Sequence, residues 1–170
     1  MTRKEMLAMV RKLIADEQAT GFTEGGNLEE PEGTQELLNY LNRAVDEYSK
    51  RQAAKKDIRL MKTMTVANGE NLPSDYLAFC GIVPVKIVGK KVDYYNPAMA
   101  ATMPIRYLAR LDYVTSTPND TDNLPYDEDQ AIAICALAAI YALNKHEANV
   151  SQDLALLGYG AAASNGNSQQ

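Results

Sequence analysis

Apolar residues fall at helical spacing in three parts of the chain and at alternate positions in the stretch between the second and third. The first helical pattern opens with Thr2 and Glu5, a capping box, and continues through Met6, Val10 and Leu13 with a second ridge at Met9 and Ile14. It predicts a helix reaching about Ala19. The second is expected to start at Thr34 as its cap and to end near Lys55, with Leu37, Leu38, Leu41, Ala44, Val45 and Tyr48 on one stripe. The third, residues 127–146, starts acidic, carries no polar side chain from Ala131 to Leu143 and ends on Asn144, Lys145 and His146, the order of charges that a helix dipole favours. Its large residues form two stripes, Ile134, Leu137 and Tyr141 against Ile132, Ile140 and Leu143, separated by Ala133, Ala136, Ala138, Ala139 and Ala142. A bilayer-spanning helix needs about 20 apolar residues, so this shorter run predicts burial within protein.

Between the second and third helices the period changes. Ile58, Leu60, Met64 and Val66 alternate with Arg59, Thr63 and Thr65, which predicts a strand, and Asn68-Gly69 turns the chain after it. Residues 79–88 form a second apolar run with Pro84 inside it, expected as an edge or bulged strand. Gly89-Lys90 joins it to residues 92–95 as a tight hairpin. Asn96-Pro97 begins a short helical or irregular segment that Pro104 ends, and residues 106–113 read as a further strand. After the long apolar helix, Val150, Leu154 and Leu157 predict a separate short helix capped by Asn149 or Ser151 and stopped by Gly158. The expected fold class is therefore α+β and mainly helical: a small bundle of two N-terminal helices and a long apolar C-terminal helix, with a small antiparallel hairpin-rich sheet inserted between. Residues 1–158 read as a single domain and 159–170, uncharged and without a large aliphatic residue, as a flexible tail.

Composition narrows the chemistry. Twenty-two acidic against 17 basic residues leave a net charge of -5, which disfavours binding to duplex phosphates. The acids concentrate in the loop at residues 21–33 and between Asp112 and Asp129. The basic residues Lys50, Arg51, Lys55, Lys56, Arg59 and Lys62 gather around the end of the second helix, where they suit its dipole or a solvated face. Cys80 and Cys135 lie in apolar company and read as reduced core residues. With one histidine, His146, and two distant cysteines, no zinc pattern can be written, and neither of the common glycine-rich phosphate motifs occurs. The expectation is a protein without catalytic, metal or cofactor-binding residues, without a signal-peptide core and kept in the cytosol, so not at a membrane.

The order of segments resembles the head-to-tail adaptor proteins of tailed bacteriophages. The resemblance is carried by Leu38-Asn39-Tyr40-Leu41-Asn42-Arg43-Ala44 in the second helix, by Leu72-Pro73-Ser74-Asp75-Tyr76-Leu77, and by Leu124-Pro125 ahead of the apolar helix. It covers residues 1–158 and implies a structural virion protein of the neck, assembled in the bacterial host cytoplasm. Such a protein binds the portal protein as a ring of itself, in twelve copies, extends the DNA channel, and gives downstream tail or nozzle proteins a docking surface. Genomic DNA then passes through the lumen without specific binding. Under that resemblance the candidate subunit or portal contacts are Ala138, Ala139, Tyr141, Leu154, Leu157 and Tyr159. The alternatives are another phage structural module, such as a stopper, tail-completion or baseplate component, and a small DNA-binding regulator using the basic run from Lys50 to Lys62.

Overall fold

A computed structural model describes residues 1–14, 31–96, 98, 101–116, 119 and 121–156. Helix α1, Arg3–Leu13, begins at the expected capping box: Glu5 N–H donates to Thr2 Oγ1 at 3.2 Å and Thr2 N–H to Glu5 Oε2 at 2.7 Å. It buries Met6, Leu7 and Val10. The predicted extension to Ala19 and the acidic loop at 21–33 fall largely outside the described residues. Helix α2, Pro31–Ala54, starts three residues before the expected cap. Proline is favoured in a first helical turn, where its missing N–H has no partner to lose, so Thr34 lies inside the helix. All six stripe residues of α2, from Leu37 to Tyr48, are buried.

The single inserted sheet is overturned. Among the described residues, three helices accompany five strands in two antiparallel sheets, with 48% helix and 24% strand, so the chain is α+β. A 3-10 turn at Ile58–Leu60 leads into β1, Met61–Ala67. Strands β2, Tyr76–Phe79, and β5, Thr102–Ala109, complete a sheet of order β1-β5-β2, while β3, Val85–Val88, and β4, Lys91–Tyr94, form a separate hairpin. The expected strand at 79–88 is thus two strands, with Pro84 in the connection. The strand predicted at 106–113 instead starts at Thr102 and includes Pro104. Arg106 C=O accepts from Cys80 N–H on the β2 side, and Pro104, two residues earlier, points the same way. Strand β2 pairs only with residues 107–109, so at Pro104 no ladder bond is lost.

The third helix also departs from expectation. Helix α3 runs unbroken over Glu128–Leu156, with no separate final helix, and Asp127 N–H donates to Gln130 Oε1 at 3.0 Å at its start. It is not the long apolar helix predicted: it continues past His146 to Leu156, so that the apolar run 131–143 makes up less than half of its 29 residues, and among the described residues no helix is long and apolar enough to cross a membrane. α1 and α2 pack against α3 around one core that includes Val114, Leu124 and Tyr126, while Val66, Val85, Val92, Tyr94 and Ile105 form a second core between the sheets.

Candidate functional site

Among the described residues, helix α3 is covered on one side only. Ala131, Ile134, Cys135, Ala138 and Ala142 are fully buried, whereas Ile132, Ile140 and Leu143 are 45%, 51% and 39% exposed. With exposed Ala136 they stand at positions 132, 136, 140 and 143, the spacing of a single helix face. Exposed Asp129 lies three residues before this ridge and exposed Glu147 four residues after it, so the same arc ends in an acid at each end. The ridge rises about 16 Å from Ile132 to Leu143.

The residues selected from the sequence are distributed differently. Ala138 and Ala139 are buried in the chain's own core. Tyr141 is half-buried beneath the Arg43 guanidinium, 4.2 Å from its ring centroid, a cation–π contact that ties α2 to α3. Leu154 lies in the last turn of α3, and Leu157, Tyr159 and the predicted flexible tail lie outside the described residues. The pattern of small residues marks where helices approach closely inside this fold, and the uncovered arc is the other stripe.

A second apolar surface lies at the end of α2. Ile58 and Ile82 are 77% and 105% exposed, Met61 is also exposed, and with Phe79, Cys80, Gly81, Leu108 and Lys56 they line a groove of about 450 Å³. Cys80 is therefore half-buried in a groove wall, while Cys135 is buried and its thiol is pushed up to about 12 by loss of solvent. Alternation alone places Ile58 and Ile82 in strands; their exposure follows from the 3-10 turn and from the loop bent at Gly81, φ +81°. The signal available in the sequence was Gly81 directly before an isoleucine and Pro84 two residues after it.

Lys56 reaches this groove from an unusual backbone position. Lys56 N–H donates to Ala53 C=O and Asp57 N–H to Gln52 C=O, the paired bonds of a Schellman motif, and Lys56 is left-handed at φ +59°. Glycine is the usual residue there because a Cβ is disfavoured.

The remaining polar cleft, about 180 Å³, is lined by Arg59, Lys62, Arg110 and Asp112 among others. Its cations already face acids: Arg59 bonds Asp57 at 2.7 Å, Lys62 bonds Asp75 at 2.7 Å, and Arg110 lies 3.4 Å from Asp46. Its hydrogen bond to Asp75 raises the pKa of Lys62 above the ordinary lysine value. An incoming anion would have to displace carboxylates. Of the basic run from Lys50 to Lys62, Arg51 is also paired, with Glu47 at 2.7 Å. No group of three metal-ligating side chains occurs among the described residues. Compared with models of protein families, with curated proteins and with solved structures, the chain matches none.

Proposed function

We propose that this protein is a structural component of a tailed-bacteriophage neck, a head-to-tail adaptor that binds the portal as a ring and offers tail components a surface. The observation that carries the reading is the ridge of Ile132, Ala136, Ile140 and Leu143, an apolar helix face that the described residues leave uncovered. Large exposed apolar surfaces mark sites of association, and a second such surface at the groove supplies a different partner shape. Two unlike surfaces on one chain suit a heterologous contact, which closes into a ring when the rotation permits. In the segment at residues 72–77, one of those that carry the resemblance, Asp75 has a structural part: its carboxylate holds Lys62 and the Tyr107 hydroxyl, and its carbonyl accepts from Arg110 N–H.

The DNA-binding alternative is weakened because half of the basic run, Arg51, Arg59 and Lys62, is neutralised by Glu47, Asp57 and Asp75. Mixing the purified chain with its cognate portal should give rings of bound copies in electron micrographs. Failure to bind, together with steep salt-dependent retention of duplex DNA on a filter, overturns the adaptor reading in favour of a nucleic-acid-binding protein.

A further inference from the structure

We infer that the α3 ridge of one copy seats in the groove between Ile58, Met61 and Ile82 of a second copy of this chain. The two surfaces differ in the ways a pair requires. One is convex, a helix face of Ile132, Ala136, Ile140 and Leu143; the other is concave, with exposed Ile58 and Ile82 in its walls. A cavity of about 150 Å³ holds a benzene, so the groove's 450 Å³ has room for the two or three aliphatic side chains that such a ridge presents. Laying an amphipathic helix in an apolar groove is a common docking mode.

Charge agrees with shape. The ridge ends in Asp129 and Glu147, and the groove wall carries Lys56, next to exposed Lys55. A lysine occupies a left-handed position at which glycine would be less strained, and it lines the groove. Seated in this way, the ridge would bring one of its acidic ends to Lys56. That the contact runs from copy to copy in one direction rests on the adaptor reading, because a ring needs unlike surfaces.

Sedimentation velocity of the full chain up to millimolar concentration tests the pairing. The wild type should associate as concentration rises, and alkylation of Cys80, which lines the groove, should slow in parallel. Ile140→Lys spoils the ridge and Ile82→Glu spoils the groove; both side chains are exposed, so melting curves should match wild type. Each variant alone should remain monomeric. Mixed in equal amounts they should form dimers and nothing larger, since one intact ridge and one intact groove remain. A wild type that stays monomeric, variants that associate as it does, or a mixture that stays monomeric overturns the pairing. Portal capture separates this from the function: a ring that forms on the portal with Ile82→Glu sinks the contact and leaves the adaptor standing, whereas association by this contact without portal binding does the reverse.

Discussion

Lys56 illustrates how a single side chain can work against the stability of its own fold. The Schellman turn that ends α2 needs a left-handed residue, and for a residue with a Cβ that conformation costs about 1–2 kcal/mol. Lys56→Gly should therefore raise the unfolding free energy by about 1 kcal/mol in urea titrations, after allowing for the greater freedom of glycine in the unfolded chain. The same substitution should weaken self-association, so stability and association should move in opposite directions. Ala138 gives the contrary case. It has no exposed surface, and a carboxylate placed there would lose its hydration inside a closely packed apolar cluster. Ala138→Asp should cost on the order of 3–5 kcal/mol, seen as loss of the cooperative thermal transition. A variant that melts like wild type would show that α3 does not pack as described.

At the scale of elements, α2 and α3 are held together by apolar packing along their length and by polar ties. Glu36 on α2 accepts from both Lys145 on α3 and the Tyr40 hydroxyl. Burial on its own would raise the Glu36 carboxyl, but the hydrogen bonds from Lys145 and Tyr40 prevail and hold it below the usual carboxylate value. A carboxyl depressed in the folded state contributes stability above its unfolded pKa and loses it as pH falls through the folded one. Acid unfolding should accordingly steepen below the unfolded value of about 4.3. Glu36→Gln should flatten that part of the stability profile by lowering stability at neutral pH toward its value in acid. An unchanged acid limb would mean the tie to Lys145 is absent in solution. The elements also show how far local pattern reaches. The six-residue stripe of α2 and the Gly89-Lys90 hairpin turn are set by neighbours a few positions away, and both were legible. The place of Pro104 is not legible locally because its tolerance depends on how far β2 extends along β5, a pairing between residues 28 to 33 positions apart.

For the whole molecule, helical periodicity in the sequence determined that residues 127–146 form a helix and that its apolar residues lie in two stripes. It did not determine which stripe is covered. A sequence with apolar residues on most sides satisfies any packing arrangement that buries enough of them, and the choice is made by α1 and α2, which meet only one side of α3. The same holds at the groove, where Ile58 and Ile82 have the composition of strand residues but are exposed by a 3-10 turn and a bend at Gly81. Local spacing fixes the period of a helix and the place of a turn because those depend on bonds between near neighbours. The uncovered ridge and the groove came from tertiary structure, because exposure depends on which distant segments arrive and where they stop.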